Sequence, residues 1–86
     1  MKPLEQIFFK ACLMRGDNFI RDICQIFSEL GFPIKILWRY LRKWTNMGFY
    51  EYDVALDMGW FYIDKLPVEY AKMYEEVQRY VRNKKY

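Results

Sequence analysis

The spacing of apolar side chains changes from a helical period to a period of two and back, which divides the chain into five segments. The first segment predicts a helix over residues 3–14, where Pro3 suits a first-turn position and "RGDN" ends the pattern. Its apolar residues at helical spacing are Leu4, Ile7, Phe8 and Ala11. We expect these four side chains to form the buried face.

A second helix is predicted over residues 18–30. Asp17 or Asn18 can accept hydrogen bonds from its free amides, and Gly31 ends it. The apolar stripe of this helix consists of Ile20, Ile23, Cys24, Phe27 and Leu30. The same period continues in a third helix over residues 33–47, which Pro33 opens and Gly48 stops. Its predicted inward residues are Leu37, Leu41 and Trp44, with Ile34 one turn earlier.

After Gly48 the period becomes two, which is typical of a half-buried strand. Tyr50, Tyr52, Val54 and Leu56 alternate with Glu51, Asp53 and Ala55. "DMG" then predicts a turn and "WFYID" a returning strand, so residues 49–64 form a hairpin.

A last helix is predicted over residues 67–84, because Pro67 suits its start and apolar residues again recur at helical spacing. Its broad apolar face consists of Tyr70, Met73, Tyr74, Val77, Tyr80 and Val81. The predicted fold class is therefore mostly α with a small β-hairpin, in a single domain over residues 1–86.

Composition favours a folded protein. Apolar residues make up 53% of the 86 positions and aromatic residues 21%, which argues for a core or interface built on rings. There is no apolar run near the roughly 18 residues that a membrane span needs. The N-terminal "MKPLEQIFFK" lacks the apolar stretch of a signal peptide, so we expect a soluble cytoplasmic protein.

Catalysis is disfavoured because the chain has no histidine, one serine and one threonine, and no glycine-rich phosphate loop. Asp53, Asp57 and Asp64 cluster around the predicted hairpin, but carboxylates beside a turn are usually solvated. We expect no enzyme activity, no catalytic residue, no cofactor and no metal site.

Cys12 and Cys24 have no metal-binding spacing, so they are interpreted as buried small hydrophobic residues or as a disulfide between the first two helices. The "RGD" tripeptide at residues 15–17 is interpreted as a chance turn rather than an adhesion motif.

The order of three helices, a hairpin and a closing helix resembles the winged helix-turn-helix domains of small transcription regulators. The resemblance is most specific over residues 30–50. The matching residues are Leu30 to Pro33 at the turn, Leu37 and Leu41 at buried recognition-helix positions, Trp44 at the usual third leucine, and Met47 to Tyr50 at the exit into the wing. The resemblance implies a winged helix with a three-helix core, a two-stranded wing and a C-terminal helix.

The outward surface of the third helix carries four cations and no acid between Pro33 and Trp44, a local charge of +4 in a chain of net charge +3. Such a surface suits DNA phosphates, and Arg39 is placed to contact a guanine edge. The predicted DNA-binding residues are Lys35, Trp38, Arg39, Arg42 and Lys43. Duplex DNA is the expected partner.

Two features oppose DNA binding. Ile36 and Trp38 stand where the family usually has small polar residues, and the hairpin is acidic, with Glu51, Asp53 and Asp57. The alternative is a protein-interaction module that uses Ile36, Trp38 and the acidic wing as its partner face. A third interpretation tucks Trp38 against the first or last helix.

The terminal helix is predicted to form a homodimer through Tyr70, Tyr74, Val77 and Val81, since this stripe is wider than one small domain needs. It could equally close the monomer over the first helix. A compact basic winged helix without an effector domain is typical of regulators from viruses and mobile elements.

Overall fold

The computed structural model describes residues 1–15 and 20–84. The predicted cap at Asp17 or Asn18 and most of the "RGDN" break lie outside these residues. In chain order, the elements are α1 (Pro3–Arg15), α2 (Ile20–Glu29), α3 (Ile34–Met47), β1 (Tyr50–Asp53), β2 (Met58–Phe61), a short 3-10 turn (Ile63–Lys65) and α4 (Val68–Asn83). The prediction of a mostly α fold with a small hairpin is confirmed, and the layout is compatible with a winged helix.

The buried face of α1 differs from the predicted one. The residues of α1 that are buried are Glu5, Phe8, Phe9 and Cys12. Ile7, which was predicted to be buried, is 55% exposed. Apolar residues surround α1 on most sides, so periodicity alone does not select its buried face. The contacts that α3, α4 and the hairpin make with Glu5 and Phe9 decide which face of α1 is buried.

The predicted inward faces of α2 and α3 are confirmed except at Leu30 and Ile34, which are 68% and 43% exposed. The chain leaves α2 at Gly31, whose φ of +96° is in the left-handed region that favours glycine. The Phe32 N–H donates to the Phe27 carbonyl at 3.0 Å. This tight turn takes Leu30 away from the core and places the Phe32 ring against that of Phe27, with ring centres 5.7 Å apart.

The hairpin is shorter than predicted. β1 and β2 pair antiparallel, with Tyr50 opposite Phe61 and Asp53 opposite Met58. Residues 54–57 form the turn instead of the predicted "DMG" at residues 57–59, so Val54 and Leu56 are 75% and 60% exposed and do not lie in a strand. The physical reason is the side chain of Asp53, which accepts the Leu56 N–H at 3.1 Å and so ends the strand.

Aromatic rings dominate the core, and Trp44 of α3 lies among them. Its ring stacks on Phe8 at 5.8 Å and meets Phe9 edge to face at 5.3 Å. From the hairpin, Tyr50 meets it edge to face at 5.9 Å. Trp44 thus connects α1 and α3 with β1.

The terminal helix α4 packs against α1 within the same molecule. Tyr70 and Val77, two residues of the predicted dimer stripe, are only 4% and 5% exposed. They cannot offer surface to a second molecule, so their assignment to a dimer interface is wrong. Tyr74 is half-buried and Val81 is 40% exposed. Within the described residues, no helix has both the length and the apolar character to span a membrane.

Candidate nucleic-acid interface

A row of polar side chains follows the outer face of α3. Lys35, Arg39 and Arg42 lie at intervals of four and three residues, on the side of the helix opposite Leu37 and Leu41. All three cations are exposed, and none forms an ion pair within residues 1–15 and 20–84. The exposed Asn46 continues the same row one turn later. We call Lys35, Arg39, Arg42 and Asn46 the α3 stripe.

Asn46 was not among the sequence-predicted site residues. It stands eleven residues after Lys35, which is close to three helical turns, so extending the cationic row by its own period would have found it. Its amide can both donate and accept hydrogen bonds. The α3 stripe therefore combines charge with one neutral group able to contact a base edge.

Lys43 differs from the other cations of α3. Its ammonium donates to the Glu5 carboxylate at 2.9 Å, and the Glu5 side chain is almost fully buried. This hydrogen bond raises the pKa of Lys43. Because its charge is largely neutralised by Glu5, Lys43 is a weaker candidate for a phosphate contact than the sequence predicted.

Glu5 accepts hydrogen bonds from three side chains of other helices. The Tyr70 hydroxyl of α4 donates to Oε2 at 2.6 Å, and the Trp44 indole donates to the same oxygen at 2.9 Å. Burial by itself would raise the pKa of Glu5, but the hydrogen bonds from its donors outweigh that effect and the pKa is lowered. The carboxylate thus stays charged and links α1, α3 and α4 under the stripe.

Trp38 is half-buried and packs against the hairpin. Its ring meets that of Tyr52 edge to face, with centres 5.0 Å apart. This agrees with the interpretation that Trp38 tucks into the molecule, although its neighbour is β1 rather than the first or last helix. Ile36 is also half-buried. The two apolar side chains do not form a fully exposed patch.

The carboxylates of the hairpin are largely engaged within the molecule. Asp57 accepts the Tyr52 hydroxyl at 2.6 Å and lies 3.7 Å from the Arg21 guanidinium. Burial, and then the hydrogen bond to Asp57, raise the pKa of Tyr52 to about 12. Glu51 accepts the Tyr62 hydroxyl at 2.5 Å. The Arg21 guanidinium partly offsets the charge of Asp57, but the tyrosine hydroxyls leave the negative charges of Asp57 and Glu51 in place, so the hairpin still opposes a phosphate backbone.

A shallow depression lies beside the α3 stripe. Its lining residues are Arg39, Arg42, Lys43, Asn46 and Met47. The depression is open to solvent. In the described part of the chain, no cluster of acidic, cysteine or histidine side chains is arranged to hold a metal ion.

Both cysteines are free and buried. Burial raises the pKa of the Cys12 thiol and raises that of Cys24 to about 11. The interpretation as buried small hydrophobic residues is confirmed, and the alternative of a disulfide is not.

Comparison of the chain with protein-family models, with curated proteins and with solved structures found no match.

Proposed function

We propose that the protein binds duplex DNA through the α3 stripe. The observation that carries the proposal is the set of exposed cations Lys35, Arg39 and Arg42 on one helix face, without ion-pair partners in the described chain and without an acid in α3. A helix with such a face can enter the major groove, and its cations displace counterions from the phosphates.

Within this proposal the residues of the stripe have separate roles. Arg39 lies at the centre of the row and is the candidate for bidentate contact with guanine. Lys35 and Arg42 flank it and serve phosphates, while the Asn46 amide is suited to an adenine edge. On the opposite side of α3, Trp44 donates to the buried Glu5 carboxylate and stacks on Phe8, and these contacts attach the helix to α1.

A role as a winged-helix transcription regulator is part of this proposal, and it is supported by the resemblance and by the order of elements. Such a role implies an intracellular, cytoplasmic location. The alternative of a protein-interaction face at Ile36 and Trp38 has less support, because both side chains are half-buried and Trp38 packs on Tyr52.

The test is a titration of random duplex DNA at two salt concentrations. Replacing Arg39 and Arg42 by Ala should weaken binding and reduce the slope of log affinity against log salt by about one unit for each lost phosphate contact. The matched control replaces Lys72 and Arg79, two exposed cations of α4, and removes the same net charge. Equal losses in both variants, or no binding by the wild type at low salt, would contradict the proposal.

A further inference from the structure

Exposed apolar side chains occur on both α1 and α4, which pack against each other. Ile7 and Met14 of α1 are each 55% exposed, and their separation of seven residues places them on one side of the helix. Tyr80 of α4 is 47% exposed and lines a groove with Met14. The buried Val77 forms the floor of this groove. Ile7, Lys10, Met14, Glu76 and Tyr80 together are called the α1–α4 face.

One ion pair lies within the α1–α4 face. The Lys10 ammonium is 3.0 Å from the Glu76 carboxylate, and both side chains remain partly exposed, at 39% and 57%. These two charges cancel each other, although the chain as a whole carries a net charge of +3 and the Lys84 ammonium lies 4.9 Å from the centre of the Tyr80 ring. The ion pair itself therefore adds no net charge to the repulsion between two copies.

The arrangement of this ion pair is self-complementary under a two-fold axis. When two identical faces meet head to tail, a cation of one copy faces an anion of the other, and the reverse contact forms at the same time. The apolar side chains around the pair then lose their contact with water. Each copy thus offers the charges and the apolar surface that the other needs.

We propose that a second copy of this chain binds to the α1–α4 face, with Lys10 facing Glu76 of the second copy. This places the dimer interface on α1 and on one flank of α4, instead of on the predicted stripe. Tyr70 and Val77 are buried beneath that flank, and Tyr74 and Val81 do not line the groove. The proposal does not depend on DNA binding.

The first experiment is sedimentation equilibrium of the full chain at roughly 100 μM, where an association of micromolar affinity is readily measured. The wild type is expected to be a dimer and the Ile7→Glu, Met14→Glu double variant a monomer. Leu30→Glu, Leu56→Glu is the matched control, because those two residues are just as exposed but lie elsewhere. A monomeric wild type, or a dimer that survives the first pair of charges, would overturn the proposal.

The second experiment exchanges the charges of the ion pair. In Lys10→Glu, positions 10 and 76 of every copy are both acidic, and in Glu76→Lys both are basic. Like charges then meet across the interface, so each variant alone should dimerise at least about tenfold more weakly than the wild type. An equal mixture restores both cross-contacts, since a copy with two acids meets a copy with two bases. The mixture should therefore dimerise with nearly wild-type affinity.

Recovery in the mixture cannot come from the intramolecular ion pair, because that pair is lost in both variants. Weak association of each variant without recovery in the mixture would overturn the proposed pairing of Lys10 with Glu76. The DNA titration is read separately on the same samples. Loss of duplex binding therefore tests the α3 stripe, and loss of association tests the α1–α4 face.

Discussion

Two carboxylates of this protein each accept a hydrogen bond from a tyrosine hydroxyl at the same distance, but they differ in their burial and in their other contacts. Tyr70 donates to Glu5 at 2.6 Å in the core, and Tyr52 donates to Asp57 at 2.6 Å in the hairpin. Glu5 also pairs with Lys43 at 2.9 Å, whereas Asp57 lies 3.7 Å from the Arg21 guanidinium. The side chain of Glu5 is 2% exposed and that of Asp57 is 20% exposed.

The difference shows that the hydrogen bond itself does not decide how much such a contact stabilises the fold. Its effect depends on how deeply the carboxylate is buried and on how many elements its contacts connect. Burial followed by the carboxylate hydrogen bond raises the pKa of both tyrosines to about 12. The Glu5 contacts, however, join three helices, whereas those of Asp57 hold the hairpin turn and one helix. Water can replace the partners of Asp57, but it cannot reach the Oε2 partners of Glu5 without opening the core.

The largest difference is expected between the two amide variants of these carboxylates. Glu5→Gln removes the charge from a buried site with three donors and should lower the free energy of unfolding by about 2 to 4 kcal/mol. Asp57→Asn makes the same chemical change at a more exposed site and should cost less than about 1 kcal/mol. Urea denaturation at neutral pH measures the free energy of unfolding of both variants. Equal losses would contradict the conclusion that burial separates the two carboxylates.

Lowering the pH should remove most of the difference in free energy of unfolding between the wild type and Glu5→Gln. The folded-state pKa of Glu5 lies below its ordinary value of 4.5, so its stabilisation is present above that value and is lost as pH falls through the lower folded-state pKa. Urea denaturation of wild type and Glu5→Gln at a series of pH values tests this. A difference between the two proteins that stays constant into acid would show that Glu5 is not stabilised as a carboxylate.

Replacing each tyrosine donor by Phe should repeat the comparison with a smaller amplitude. Tyr70→Phe removes a buried hydrogen bond to a charged acceptor and is expected to cost about 1 to 3 kcal/mol, whereas Tyr52→Phe should cost about 0.5 to 1 kcal/mol because water can reach Asp57. The measurement is again urea denaturation. A larger cost for the hairpin variant would reverse the conclusion drawn from burial.

A third tyrosine supplies the smallest expected effect. The hydroxyl of Tyr50 is buried and has no hydrogen-bond partner in the described part of the chain, and it occupies the space where a side chain at Gly59 would lie. Removing it in Tyr50→Phe should leave stability unchanged or raise it by up to about 1 kcal/mol, because no hydrogen bond is lost. Thermal denaturation checks this, and a clear loss of stability would reveal a partner for the hydroxyl.

Much of the fold and part of the candidate site followed from the sequence. The period of the apolar residues predicted the helices, the hairpin and the inward residues Leu37, Leu41 and Trp44 of α3. Once those three face inward, helical geometry alone places Lys35, Arg39 and Arg42 outward. These features depend on contacts between near neighbours in the chain, which spacing describes directly.

Tertiary structure decided the features that depend on residues distant in the chain. Glu5 is a buried charge because Lys43, Trp44 and Tyr70 meet it from other helices, and no local pattern specifies that meeting. The same contacts offset the charge of Lys43. They also bury a different face of α1 from the one that its apolar spacing predicted. The sequence by itself thus determined which segments are helices and which face of α3 is charged, because period is local. Only packing decided which charges are paired and which apolar residues, such as Ile7 and Met14, remain exposed, because burial depends on what the rest of the chain brings to each face.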